Sequence, residues 1–139
     1  MSTSTVRNTM PVKPRILICD DDIAFSTELI EALRMRKFPA TALLTISEMR
    51  AAILGPSVLL LDLCMPDRDG IEILNLLANH ERRDHFKIVM ISGSDDGMLE
   101  IAAELCRARG LHLLGVFRKP LNVQELCNLL ESAGVSRPD

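Results

Sequence analysis

A chain of 139 residues holds one globular domain and leaves no room for a second with its own core. At 47% hydrophobic and 25% charged it has the composition of a folded protein, and no apolar run approaches the ~20 residues that span a bilayer. Sixteen Lys and Arg against nineteen Asp and Glu leave a charge of −3, and four Phe stand without Trp or Tyr, which argues against a basic, base-stacking grip on nucleic acid.

Residues 1–14 carry Ser, Thr and Pro with almost no periodic apolar content and read as a disordered lead-in. The fold is expected over residues 15–132, with 133–139 as a tail or the start of a linker. Ile16 to Cys19 predicts the first strand. Phe25, Leu29, Ile30 and Leu33 then recur at helical spacing from Ile23 to Lys37, and Ala40 to Leu44 predicts a second strand. Thr45 or Ser47 caps a short helix to Leu54, which Gly55-Pro56 stops. Val58 to Leu61 is the most hydrophobic strand-length run, apolar on both faces as in the middle of a parallel sheet. The alternation continues as helix Ile71 to Asn79, strand Lys87 to Ile91, helix Met98 to Arg109, short strand Gly115 to Arg118 and helix Val123 to Ser132. Five strands alternating with five helices predict a doubly wound α/β sheet of flavodoxin-like order 2-1-3-4-5.

The four cysteines, Cys19, Cys64, Cys106 and Cys127, stand 45, 42 and 21 positions apart, without a CxxC or Cys/His ligand spacing. Three lie in apolar runs, and no secretory leader pattern precedes them, so they read as reduced core residues of a cytoplasmic protein. His80, His85 and His112 have no partner at metal-ligand spacing and read as surface or loop residues.

In a sheet of this kind ligands bind beyond the carboxyl ends of the central strands. The polar residues that fall there are Asp20, Asp21 and Asp22, then Asp62, then Ser92-Gly93-Ser94, then Lys119-Pro120. Crowded carboxylates are most simply relieved by a hard divalent cation with oxygen ligands, so Asp20 to Asp22 with Asp62 suit Mg²⁺. Mg²⁺ in turn favours phosphoryl oxygens, which Ser92 can hydrogen-bond, which Gly93 leaves room for, and whose charge Lys119 would offset. Asp62 is a carboxylate able to act as nucleophile and form an acyl phosphate. Each residue has an ordinary reading as well: Asp22 before Ile23 suits a helix cap, Ser92 a turn and Lys119 a solvated surface. Their joint occurrence at consecutive strand ends is what chance does not supply.

The segments ILICDDD, LLLDLCMPDRDG, VMISGS and FRKPL, in this order, resemble the receiver domain of two-component response regulators, over roughly residues 15–132. The resemblance implies that Asp62 accepts a phosphoryl group from a phosphohistidine of a sensor histidine kinase or phosphotransfer protein. It further implies that Asp20, Asp21, Asp62 and the backbone carbonyl of Cys64 hold Mg²⁺, with Asp21 the more direct ligand of the acidic pair. Ser92 becomes the switch hydroxyl, Lys119 the phosphate-pairing lysine, and the bond before Pro120 is expected to be cis. The side chains of Cys64 and Ser94 are where the lifetime of the acyl phosphate would be tuned. The chain would be a signalling phosphoacceptor rather than a metabolic enzyme.

Two departures stand out. Receivers often carry an aromatic three residues before the lysine, whereas here Val116 stands there and Phe117 falls on the opposite face. Ser92 and Lys119 are 27 positions apart, longer than the family habit, with the extra residues including Arg107 to His112. GLHLLGVFRKPL is more loosely similar to receivers joined to EAL-type cyclic-di-GMP phosphodiesterase domains, so a fused or separate EAL-type output is a further expectation. Two alternatives stand beside the receiver reading. A haloacid-dehalogenase-type phosphohydrolase would use Asp20 and Asp22 as nucleophile and acid/base, but Ala24 sits where that motif prefers Thr or Val, and the segment from Asp62 to Gly70 would have no purpose. A non-phosphorylated interaction module would keep only the fold.

Overall fold

The structure of the chain is a computed structural model that describes residues 14–52, 55–62, 70–81, 83–93 and 97–135. The most apolar run takes the central place: Ser57–Asp62 (β3) is buried at all six positions. It pairs in parallel with Arg15–Cys19 (β1) on one side and Phe86–Ser92 (β4) on the other. Ala40–Leu43 (β2) extends the sheet beyond β1 and His112–Arg118 (β5) beyond β4, giving the expected order β2-β1-β3-β4-β5. The helices are Ile23–Met35 (α1), Ile46–Ala52 (α2), Gly70–Ala78 (α3), Met98–Ala108 (α4) and Val123–Ser132 (α5), and a 3-10 turn, Arg83–His85, precedes β4. Among the described residues these five strands and five α-helices form the doubly wound fold that the alternating pattern predicts.

Alternation along the strands builds two cores. Leu17, Leu59, Leu61, Ile88 and Met90 pack with Met49 of α2, Leu74 and Leu77 of α3, and Ala102 and Cys106 of α4. Ile18, Val58, Leu60, Val89 and Ile91 point the other way and meet Leu29 and Leu33 of α1 and Leu126 and Leu130 of α5. Each such leucine or isoleucine withdrawn from water stabilises the fold by about 1.5–3 kcal/mol before the entropy of ordering it is counted. The packing runs to Val135, which is buried on the α1/α5 side, and the Lys87 ammonium donates to the Ala133 carbonyl at 3.0 Å.

Helix ends follow local chemistry that the apolar period does not carry. α1 stops at Met35 rather than Lys37 because Lys37 takes the left-handed conformation, φ 67°. The Lys37 N–H donates to Arg34 O at 2.9 Å and the Phe38 N–H to Leu33 O at 2.8 Å, with Phe38 fully buried in the core that holds Leu33. Burial of that ring ahead of Pro39 offsets the strain at a residue with a Cβ. α4 ends in the same way, and there Gly110, φ 75°, supplies the left-handed residue without strain. At α2 the cap is Thr45: its Oγ1 accepts from the Glu48 N–H and Glu48 Oε1 accepts from the Thr45 N–H, each at 3.0 Å.

β5 is longer than the expected Gly115 to Arg118. It begins at His112 and contains a bulge, since Ile88 pairs with Leu113 and Val89 with Gly115. Leu113 and Leu114 pack on opposite cores, which a short-strand reading of HLLG does not anticipate. A Cβ at Gly115 would lie 3.0 Å from Leu129 Cδ2, so glycine lets α5 approach the strand. The extra residues before Lys119, Arg107 to His112 among them, fall in the end of α4, its left-handed turn and the start of this bulged strand. His80 lies in the bend after α3, a loop position as expected, and its ring stands edge-on to Phe86, centroids 5.0 Å apart.

Cys19, Cys106 and Cys127 are buried core residues outside any disulfide, as expected, and Cys64 lies outside the described residues. Burial pushes the Cys106 thiol from 9.0 up to about 11, against a smaller opposing pull from Arg107. The native protein at pH 8 should therefore leave Cys106 unreacted with dithionitrobenzoate and release it on unfolding in guanidinium. Fast native labelling of Cys106 would show that α4 opens. Because the folded value lies above the unfolded one, the stability linked to this thiol is complete below pH 9.0 and is lost as the pH rises through about 11.

Candidate functional site

The parallel register brings the carboxyl ends of β1, β3 and β4 to one edge. Asp20, directly after β1, is buried, Asp21 is half-buried, and Asp62 closes β3 with 5% of its surface exposed. One carboxylate oxygen from each of the three lies within 4.8 Å of the others. Ser92 ends β4, fully buried. The Lys119 N–H donates to the Ser92 carbonyl at 2.9 Å, which ties the loop after β5 to the end of β4. The peptide between Lys119 and Pro120 is cis, as the resemblance implied.

Lys119 reaches across the sheet ends from this loop. Its Nζ lies 3.1 Å from Asp20 Oδ2 and 3.6 Å from Asp62 Oδ2. Asp20 Oδ1 also accepts the Asp22 N–H at 2.9 Å. Burial pushes the Asp20 carboxyl above its ordinary value and the like charge of Asp62 adds to it, with the Asp22 N–H and Lys119 opposing. Burial alone would lower the Lys119 ammonium, but the Asp20 hydrogen bond and the charges of Asp62, Asp20 and Asp22 hold it above its usual value. One cation therefore serves two buried carboxylates with a third beside them, an arrangement with negative charge to spare. A hard divalent cation is the partner that oxygen-only donors of this charge fit.

Asp20, Asp21, Asp62 and Lys119 thus converge, and Ser92 joins them through the Lys119 backbone. A Cβ on Gly93 would meet Lys119 Cδ at 3.7 Å, an ordinary contact, so glycine there is not demanded by space. Cys64 and Ser94 lie outside the described residues. Asp22 is exposed and caps α1, accepting the Phe25 N–H at 3.0 Å. Phe25 was legible only as part of the apolar stripe of α1, yet its ring centroid lies 4.1 Å from Lys119 Nζ. A phenylalanine at helical spacing says core. Only the path of the β5–α5 loop brings the ammonium over it.

Val116 is 46% exposed and lines a groove with Leu99, Ala103 and Arg107 of α4, while Phe117 packs into the α1/α5 core, as strand alternation requires. Across this groove Arg118 lies 4.0 Å from Glu100. No helix among the described residues is long and apolar enough to cross a membrane.

The family model described as response regulator receiver domain matches residues 16–131. The chain is 29% identical over 125 residues to the photosynthetic apparatus regulatory protein RegA of Rhodobacter capsulatus, covering 88% of this chain and 64% of that protein's length. Among solved structures, a response regulator from Colwellia psychrerythraea superposes with a TM-score of 0.72 at 30% identity, covering 90% of this chain and all of the other. A CheY-like receiver domain protein from Methanospirillum hungatei JF-1 gives a TM-score of 0.67 at 26% identity over 88% of this chain and 94% of its own. Neither alternative is favoured by these likenesses, and the hydrolase reading also loses Asp22 to the helix cap. With the family match running through nearly all of the described fold and solved response regulators sharing that fold, the chain belongs to the receiver domain family of two-component response regulators.

Proposed function

We propose that Asp62 is the phosphoacceptor and that the chain acts as a phosphorylation switch. The observation that carries this reading is the contact of one cation with two buried strand-end carboxylates, Lys119 Nζ at 3.1 Å from Asp20 and 3.6 Å from Asp62. A carboxylate oxygen of Asp62 attacks the phosphorus of a phosphohistidine on a sensor histidine kinase or phosphotransfer protein. The N–P bond breaks, the imidazole leaves with its electron pair, and an acyl phosphate forms on Asp62. Lys119 offsets charge on the phosphoryl oxygens as they pass, and the Ser92 hydroxyl donates to one of them in the product. Receiver domains bind Mg²⁺ at an acidic pocket of this kind. Asp20, Asp21, Asp62 and the Cys64 carbonyl would hold it here, and when bound it neutralises phosphoryl oxygens. Hydrolysis of the acyl phosphate resets the switch.

Drawing Ser92 and Lys119 toward the new dianion shifts the loop after β4 and biases α4 against β5. With Val116 in place of a ring, that bias works through the α4–β5 groove rather than an aromatic rotamer. Phosphohistidine donors and reduced thiols support a cytoplasmic setting for this switch. The output is a fused or separate domain, EAL-type on the likeness of GLHLLGVFRKPL.

Incubation with acetyl phosphate and Mg²⁺, followed by mapping of the label, tests the assignment. Label on Asp62 is the expected result, and label on Asp20 overturns it. If a beryllofluoride adduct forms at Asp62 while amide shifts from residues 98 to 123 stay put, the switching part fails.

A further inference from the structure

Lys119 is a long, flexible side chain that loses rotamer entropy when its head is fixed. Three contacts fix it here: Asp20 Oδ2 at 3.1 Å, Asp62 Oδ2 at 3.6 Å, and the Phe25 ring at 4.1 Å from the centroid. The two carboxylates are unreliable anchors during the proposed chemistry. Both are also donors for a divalent cation, and Asp62 changes its charge when it takes a phosphoryl group. The ring has no such competing duty. Its quadrupole attracts the ammonium whatever the state of the carboxylates, and more so because the lysine side chain is only 23% exposed.

Phe25 is itself held from two sides. Its N–H donates at 3.0 Å to Asp22 Oδ1, which fixes the first turn of α1, and its ring rests against the α1/α5 core. The ring forms one wall of a groove of about 320 Å³ that Lys119, Pro120, Leu121 and Val123 line from the opposite side. The chain of contacts therefore runs from the cap to the ring and from the ring to the ammonium.

We propose that Phe25 is a positioning residue for phosphoryl transfer, its ring holding the Lys119 ammonium beside Asp62; this rests on Asp62 being the phosphoacceptor. Asp22 acquires a purpose by the same route, since its cap orients the residue that orients the lysine.

Two readouts on wild type, Phe25→Leu, Phe25→Met and Phe25→Tyr decide it. In the metal-free protein, NMR should find the Lys119 ε-methylene protons shifted upfield by the ring current in wild type and Phe25→Tyr, and at ordinary positions in the Leu and Met variants. With acetyl phosphate and Mg²⁺, labelling of Asp62 should slow by roughly three- to tenfold in the Leu and Met variants and stay within about twofold of wild type in Phe25→Tyr. In a Lys119→Met background, Phe25→Leu should add no further loss. The Met variant substitutes for Leu if the latter fails to fold, since both keep apolar volume and drop the ring. Wild-type labelling rates in the Leu and Met variants overturn the proposal, as does a folded Phe25→Tyr that fails to restore the rate or an equal loss without Lys119. If wild type itself takes no label on Asp62, the phosphoacceptor reading falls and this proposal with it, an outcome distinct from wild type and Phe25→Leu labelling equally fast.

Discussion

Asp62→Asn should abolish labelling by acetyl phosphate while leaving the domain folded and as stable as wild type, or more stable by up to about 1 kcal/mol in the absence of divalent cations. The amide keeps the shape of the carboxylate but is too weak a nucleophile to form the acyl phosphate. Its effect on stability follows from the surroundings. Asp62 is 5% exposed and crowded by Asp20, whose carboxyl is pushed up partly by that neighbour. Removing one of the two charges relieves the repulsion, and Lys119 keeps its shorter contact, 3.1 Å, with Asp20. Mg²⁺ should then raise the melting temperature of wild type more than that of the variant, because the variant has lost one of three clustered carboxylates. Thermal melts with and without Mg²⁺, beside the labelling assay, check all three statements. Loss of the cooperative melt in the variant would make Asp62 a structural residue first.

The largest expected loss of stability is at Leu60→Ala. Leu60 lies on the central strand, 1% exposed, with α1 and α5 packed over it. Truncation removes buried methyl groups and leaves a cavity that two helices anchored on a sheet close only in part, at a cost of about 3–5 kcal/mol. Against the 5–15 kcal/mol typical of a domain, that is a large share, and the denaturant midpoint should fall while the slope of the transition is unchanged. Val116→Ala is the matching control: with 46% of its surface already in water, its truncation should cost less than about 1 kcal/mol. Equal losses at the two positions would contradict the burial of β3.

The helices and strands were legible wherever a hydrophobic period met a turn signal. Leu29 and Leu33 at helical spacing and the doubly apolar run of β3 each point to one local answer. What escaped was tertiary in origin. The left-handed turn at Lys37 exists because Phe38 is buried under α1, and the early start of β5 exists because Leu113 and Leu114 serve opposite cores. Neither is a local preference of the residues concerned.

The candidate site divides along the same line. Asp20, Asp21, Asp62, Ser92 and Lys119 could be named from sequence because a parallel sheet sends the residue after each central strand to one edge, so chain order alone predicts their convergence. Which atoms touch was not legible. Sequence made Phe25 a core residue and left Asp22 open between capping a helix and acting in catalysis. The fold turned the first toward Lys119 and committed the second to α1. The sequence by itself determined the class of fold and named the strand-end candidates Asp20, Asp21, Asp62, Ser92 and Lys119, because apolar periodicity and strand-end position are local properties. Only the tertiary structure decided that one lysine spans two carboxylates against an aromatic ring, because that contact depends on a loop 99 residues from Asp20 crossing the top of the sheet.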